Sequence, residues 1–148
     1  MVICIAASAL QLIGCSAPVQ VGEPLTNNLA GNDPDAQMEV WHTRHDRKLT
    51  SNGEAFHAIL LFLDGKDDGP DYAGRVSTLK SRGLLYDSFD GAAHDAVSRG
   101  DLAVIIVNAL NVRGGLILTI FPHSPRYATR ELQYIGISSK WQGGDDGL

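Results

Sequence analysis

The alternation of apolar and polar positions first becomes regular at residues 51–65. Ser51 is followed three residues later by Glu54 and then by the apolar run AFHAILLFL, which ends just before Gly65. A serine with an acidic residue three positions on predicts a capping box, in which the hydroxyl accepts a backbone N–H and the carboxylate reaches back to the start of the helix. Because glycine commonly ends helices, we expect an α-helix that stops near Asp64-Gly65.

The same motif of a serine followed three residues later by an acidic residue recurs 47 residues further along, where Ser98 and Asp101 precede the run LAVIIVNAL. This spacing predicts a second capped helix, with the acid favourably placed at the positive end of the helix dipole and with Gly114-Gly115 as the stop. The tripeptide Arg99-Gly100-Asp101 falls inside this motif. We therefore interpret it as a helix start and not as an exposed adhesion signal.

A second motif alternates with the capped runs. The stretches YAGRVSTLKSRGLL (72–85) and YATRELQYIGIS (127–138) both begin Tyr-Ala-x-Arg, continue with apolar residues three or four apart, and reach a glycine. Two motifs that alternate at similar periods predict a helical repeat, in which neighbouring units bury a shared core. We expect a mainly α fold with short β or extended connectors, such as LILTIF (116–121).

The first residues predict an export signal. Residues 1–14 are almost all apolar but are shorter than the roughly 20 residues of a membrane-spanning helix, and their length is typical of a signal peptide. Leu12-Ile13-Gly14-Cys15 resembles a bacterial lipobox, which implies cleavage before Cys15, attachment of lipid to it, and membrane anchoring in the cell envelope. Ser16 then favours the outer membrane or cell surface. Because no Lys or Arg precedes Arg44, a buried hydrophobic segment is the alternative.

The domain organisation follows from these patterns and from composition. Residues 15–40 are rich in Pro, Gly, Asn and Asp, which predicts a flexible tether, and residues 41–148 form the helical domain. Both cysteines, Cys4 and Cys15, precede the domain, which excludes a disulfide framework or a cysteine zinc site within it. The net charge of −5 argues against a nucleic-acid partner.

Residues 72–110 resemble an S-layer homology domain. The motifs that carry the resemblance are Tyr72-Ala73, the glycine and apolar pair Gly83-Leu84-Leu85, the helix start Ser98-Arg99-Gly100-Asp101, and Asn108-Ala109-Leu110. The resemblance extends more weakly over residues 48–138. It implies three helical units arranged as a trefoil that binds anionic polymers of the cell wall. A further capped helix is due after residue 138, so the repeat is incomplete, through either truncation or a degenerate last unit.

The same resemblance implies where a ligand binds. In the family, an arginine at the helix start contacts anionic groups, and here Arg99 holds that position while Asn52 stands in its place in the first unit. We therefore predict a ligand site at Arg99, with Ser98 and Asp101 beside it. The alternative is that Arg99 is solvated or pairs with Asp95 or with Asp101.

The remaining polar residues do not form a recognisable catalytic set. His42 and His45 have His-x-x-His spacing but lack the glutamate of a zinc protease helix, and we expect both on the surface. His57 lies in an apolar run and is expected to be packed and hydrogen-bonded. The acidic stretch DGKDDGPD (64–71) departs from the EF-hand ligand order and is predicted to be a solvated loop.

The sequence thus predicts a non-catalytic envelope protein, with no metal and no cofactor, that binds or anchors to an envelope polymer or a surface protein. Two alternatives stay open. One is a small metal-dependent enzyme that uses the region of His42 and His45, and the other is a ligand-free structural spacer.

Overall fold

The structure is a computed structural model that describes residues 17–22, 32–42, 45–112, 114–115 and 119–138. Its helices are α1 (Pro34–His42), α2 (Asn52–Asp64), α3 (Tyr72–Ser81), α4 (Arg99–Ala109) and α5 (Pro125–Tyr134). Extended pairing among the described residues is limited to isolated bridges, so the prediction of a mainly α fold is confirmed. None of the described helices is long and apolar enough to cross a membrane. The predicted signal peptide 1–14 and Cys15 lie outside the described residues.

The predicted capping box opens α2. The Ser51 hydroxyl accepts the backbone N–H of Glu54 at 3.2 Å, and the Glu54 carboxylate accepts the backbone N–H of Ser51 at 2.8 Å. At the other end Gly65 has a φ of 73°, in the left-handed region that favours glycine, and its N–H donates to the carbonyl of Leu61. Both predicted ends of this helix are therefore confirmed.

Helix α4 begins as predicted but ends earlier. The Ser98 hydroxyl accepts the backbone N–H of Asp101 at 3.0 Å, so Arg99-Gly100-Asp101 is the first turn of the helix. The predicted stop at Gly114-Gly115 is wrong, because the helix ends at Ala109. Asn111 has a φ of 47° and makes the left-handed turn in place of a glycine.

The two Tyr-Ala-x-Arg stretches form α3 and α5, as predicted. Each is followed by a glycine in the left-handed region, Gly83 with a φ of 66° and Gly136 with a φ of 79°. After each glycine the next residue donates its N–H back to a buried leucine of the helix, Leu79 in α3 and Leu132 in α5. The repeated sequence therefore encodes a repeated helix and turn.

Two connecting segments differ from the predictions. Parts of the stretch 15–40 are packed on the domain, because Gln20 forms an antiparallel bridge with Asp95 and α1 buries Gln37. In the stretch 116–121, Thr119 and Ile120 are helical, where a strand or an extended connector was expected. Residues 116–118 lie outside the described part of the chain.

The helices pack as two pairs, α2 against α3 and α4 against α5. The first core surrounds Phe56, Leu79 and Leu85 and includes Ile105 of α4, and the second surrounds Val104 and Leu132. Antiparallel backbone pairing joins the starts of α2 and α4, through a bridge between Ser51 and Ala96 and a hydrogen bond of 2.9 Å from Val97 N–H to the carbonyl of Thr50.

A close approach between α4 and α5 explains the glycine of the Arg-Gly-Asp turn. A methyl group added at Gly100 would lie 2.6 Å from Cβ of Pro125, the first residue of α5. At the equivalent Gly53 of α2 the nearest atom would be the carbonyl oxygen of Ala93 at 3.4 Å, which is ordinary contact. Gly100 is therefore required for packing, whereas Gly53 has room for a side chain.

We predict that Gly100→Ala destabilises the protein while Gly53→Ala changes its stability little. Overpacking typically costs about 1–3 kcal/mol, which exceeds the gain in helix propensity of at most about 1 kcal/mol from replacing glycine by alanine. Urea unfolding followed by circular dichroism would measure the difference. Equal midpoints for the two variants would contradict the packing role of Gly100.

Candidate functional site

Arg99 is one of the residues that line a groove between α4 and α5. The groove encloses about 370 Å³ and is lined by the apolar side chains of Leu102, Ile106 and Leu132 together with polar Thr129. Arg99 itself is exposed, and no ion pair or side-chain hydrogen bond involves it in the described part of the chain. The structure thus combines one charged guanidinium with an apolar floor.

The two predicted neighbours of Arg99 are already engaged. The Asp101 carboxylate accepts hydrogen bonds from the Ser98 hydroxyl at 2.6 Å and from the Tyr86 hydroxyl at 2.8 Å. Burial, together with this hydrogen bond to Asp101, raises the pKa of Tyr86 to about 12, so the phenol stays protonated and donates. Ser98 and Asp101 therefore fix the start of α4 under Arg99, and Asp101 does not pair with Arg99.

The other predicted partner of Arg99 is also occupied. The carboxylate of Asp95 accepts the backbone N–H of Ala92 at 2.8 Å and closes the turn before α4. In the first repeat, Asn52 takes the position equivalent to Arg99, but it is only 3% exposed and donates its side-chain amide to the carbonyl of Ala92 at 2.9 Å. An open charged position therefore exists at the start of α4 and not at the start of α2.

A buried polar cluster was missed by the sequence analysis. The Asp67 side chain is only 1% exposed, and its carboxylate contacts Nδ1 of His57 at 2.6 Å and accepts a hydrogen bond from Nε of Arg75. The prediction that residues 64–71 form a solvated loop is wrong at Asp67. The expectation that His57 is packed and hydrogen-bonded is confirmed.

The cluster continues into α1. Trp41 donates its indole N–H to Oε1 of Gln37 at 3.1 Å, and the Gln37 amide nitrogen lies 2.9 Å from Nε2 of His57. Because an indole can only donate, it orients the Gln37 amide so that the NH₂ group donates to His57. His57 then accepts at Nε2 and donates at Nδ1 to Asp67, which connects α1, α2 and the loop before α3.

Hydrogen bonds lower the pKa of the Asp67 carboxyl group and so favour its ionised form. Burial alone would raise the pKa of this carboxyl, but the hydrogen bonds from His57, from Arg75 and from the backbone N–H of Gly69 outweigh it and hold the pKa below its ordinary value. The cluster is thus a buried ion pair with its lone pairs satisfied. Because the side chains of Asp67, His57 and Arg75 are largely buried, we interpret the cluster as a part of the fold.

The histidine pair at the end of α1 lies apart from this cluster. His42 and His45 are both exposed, as predicted, and Nε2 of His45 lies 3.0 Å from the carboxylate of Asp46. Across the described residues, no group of three or more His, Cys, Asp or Glu side chains is placed to hold a metal ion.

Comparison of the chain with protein-family models, with curated proteins and with solved structures found no match. The resemblance to S-layer homology domains therefore stays a prediction that depends on the motifs and on the repeat.

We predict that Asp67→Asn destabilises the protein by about 3–5 kcal/mol, because it leaves Arg75 charged and unpaired in a buried position. The control is Asp68→Asn in the neighbouring exposed pair with Lys66, for which we expect little change in stability because solvent screens an exposed ion pair. Denaturant unfolding at pH 7 measures both. Equal losses for the two variants would contradict the buried role of Asp67.

The free energy of unfolding of the wild type and of Asp67→Asn should also depend differently on pH. The pKa of Asp67 is lowered in the folded state, so its contribution is complete above the unfolded pKa of about 3.9 and is lost as the pH falls through the folded pKa. The stability difference between the wild type and Asp67→Asn should therefore narrow in acid. A difference that is constant from pH 7 down to pH 2 would contradict this linkage.

Proposed function

We propose that the chain is a non-catalytic binding module of the bacterial cell envelope, and that it contacts an anionic group of an envelope polymer or surface protein through Arg99. The observation that supports this is the exposed guanidinium, which has no ion pair within the described part of the chain and stands at the first position of α4. A guanidinium can donate two parallel hydrogen bonds to a carboxylate or phosphate, and a helix N-terminus adds a favourable potential.

The groove beside Arg99 indicates the kind of ligand. Its walls are apolar at Leu102, Ile106 and Leu132, and Thr129 adds a hydroxyl. A ligand that fits both features carries an acidic group on a body with apolar faces, as an acidic sugar unit of a polymer does. Because the protein has a net charge of −5, long-range attraction for a polyanion is weak. Recognition therefore depends on short-range contact with Arg99.

The arrangement of helices is compatible with the S-layer homology resemblance. Two units, each a capped helix with a Tyr-Ala-x-Arg helix packed on or beside it, follow one another along the chain. We propose that they are two units of an incomplete trefoil, and that Cys15 anchors the module to the membrane through lipid. The short segment from Cys15 to Val19 would then place the module close to the membrane surface.

We predict that Arg99→Ala reduces retention on isolated bacterial envelope material by tenfold or more. Loss of a charge-assisted hydrogen bond costs about 1.5–3 kcal/mol, and each 1.4 kcal/mol corresponds to a factor of ten in affinity. The measurement is co-sedimentation with washed envelopes at increasing salt. Arg130→Ala, at an exposed arginine of α5 outside the groove, is the matched control.

Three outcomes can be separated. Loss of retention in Arg99→Ala but not in Arg130→Ala supports binding at the groove. Equal retention of all three proteins places the contact elsewhere and contradicts the proposal. An absence of retention for the wild type, with unchanged stability in Arg99→Ala, favours a ligand-free spacer.

We predict that the protein expressed with its own N-terminus in a bacterium loses residues 1–14 and gains the mass of attached lipid. Cys15→Ala should abolish both changes, because Cys15 is the residue at the lipid-attachment position of the lipobox-like motif. Intact-mass spectrometry and detergent phase partitioning measure the two properties. An unprocessed wild-type chain would contradict the lipid anchor and would favour the alternative that residues 1–14 are an ordinary hydrophobic segment.

A further inference from the structure

A second groove, between α2 and α4, is almost wholly apolar. It encloses about 470 Å³, and among the lining residues that the structure describes only Thr50 carries a polar side chain. Phe62 at its rim is 77% exposed and Leu110 is 48% exposed. Contiguous apolar surface of this kind marks an interaction site more often than isolated exposed side chains do.

The two walls of this groove are made of equivalent positions of the repeat. On α2 the lining residues are Ala55, Ala58, Ile59, Phe62 and Leu63. Each has its counterpart in the lining 47 residues later, on α4 or at its end, from Leu102 to Leu110. Thr50 and Val97, just before the two helices, follow the same spacing. The positions lie three or four residues apart, so each helix presents one continuous apolar face.

The packing of the helices covers these faces only in part, because Ala55 and Ile105 are buried in the core. Helix α2 packs against α3 and α4 against α5, while α2 and α4 are joined near their starts by the pairing of Ser51 with Ala96. Toward their ends, at Phe62 and Leu110, both apolar faces remain exposed. Each square ångström of apolar surface removed from water is worth about 25 cal/mol. A partner that covers the groove therefore removes apolar surface of both helices from water, and this burial favours binding.

We propose that the occupant of this groove is a second copy of the chain, which lays its own α2 and α4 against the first pair to form a four-helix bundle. In a two-fold dimer the same surface faces itself, so the patch must be complementary to its own copy. This patch meets that condition, because its described lining is apolar apart from Thr50 and carries no charge that would repel a like charge across the axis, despite the net charge of −5. Bundles of four helices bury this type of apolar stripe in their centre.

The exposed phenyl ring of Phe62 supplies the projecting element. It stands on the rim, next to the open volume between α2 and α4. Across a two-fold axis each Phe62 can enter the groove of the other copy, and both rings are then removed from water. A phospholipid or a free fatty acid would fit this lining less well, because the described residues of the groove offer no charged or amide side chain for a polar head.

The test is the oligomeric state of the full chain and of two variants, measured by sedimentation velocity over a hundredfold range of concentration. We expect a concentration-dependent dimer for the wild type and a dissociation constant at least tenfold higher for Phe62→Asp. The matched control is Tyr134→Asp, at a tyrosine of α5 that is 87% exposed and outside the groove, and it should dimerise like the wild type. Circular dichroism confirms that both variants are folded.

Other results would overturn the proposal. A wild-type monomer at all concentrations, or association that Phe62→Asp leaves unchanged, as expected if residues 1–14 drive it, excludes this groove as the dimer interface. A monomer that carries a bound lipid or a foreign peptide in native mass spectrometry assigns the groove to another occupant. Leu102 and Ile106 line both grooves, but Phe62 lines only this one, so envelope retention of Phe62→Asp shows separately whether the proposed polymer site is intact.

Discussion

The structure depends on the backbone pairing that joins the starts of α2 and α4. The N–H of Val97 donates to the carbonyl of Thr50 at 2.9 Å, and the N–H of Asn52 donates to the carbonyl of Asp95 at 2.8 Å. These bonds connect residues far apart in sequence, at the two serine caps. They fix the relative position of the two helix pairs, and so they also determine the groove between α2 and α4.

The cluster around Asp67 has the same effect on the other side of the first pair. Its hydrogen bonds hold α1, α2 and the loop before α3 in one arrangement, through Gln37, His57 and Arg75. A buried charge is costly unless it is paired, so these residues must be placed together. The cluster therefore determines how α1 packs against α2, in addition to stabilising the fold.

The sequence predicted what local chemistry determines. The serine caps, the glycine turns at Gly65, Gly83 and Gly136, and the alternation of two helix types follow from short motifs. The end of α4 differs from the prediction because Asn111 adopts a left-handed turn, which the sequence pattern predicts at a glycine. The burial of Asp67 is not predictable from local sequence, because its partners, His57 and Arg75, lie on two different helices and only the tertiary fold brings them together.

The candidate site was predictable only in part, for the same reason. The exposure of Arg99 depends on Asp95 and Asp101 being occupied elsewhere, and those contacts involve Ala92 and Tyr86. No local pattern in the sequence states which hydrogen bonds these carboxylates make. The buried position of Asn52, likewise, depends on the loop that precedes α4 and not on the motif around Ser51.

The Arg-Gly-Asp turn shows how structural and functional demands separate within three consecutive residues. The Asp101 carboxylate accepts hydrogen bonds from Ser98 and Tyr86, and Gly100 leaves room for Pro125 because it has no side chain. The fold therefore explains both residues. Arg99 makes no described ion pair, and the packing of α4 would tolerate many other residues at an exposed first position. Stability explains the glycine and the aspartate but not the arginine, and this is why we propose Arg99 as the contact residue of the turn.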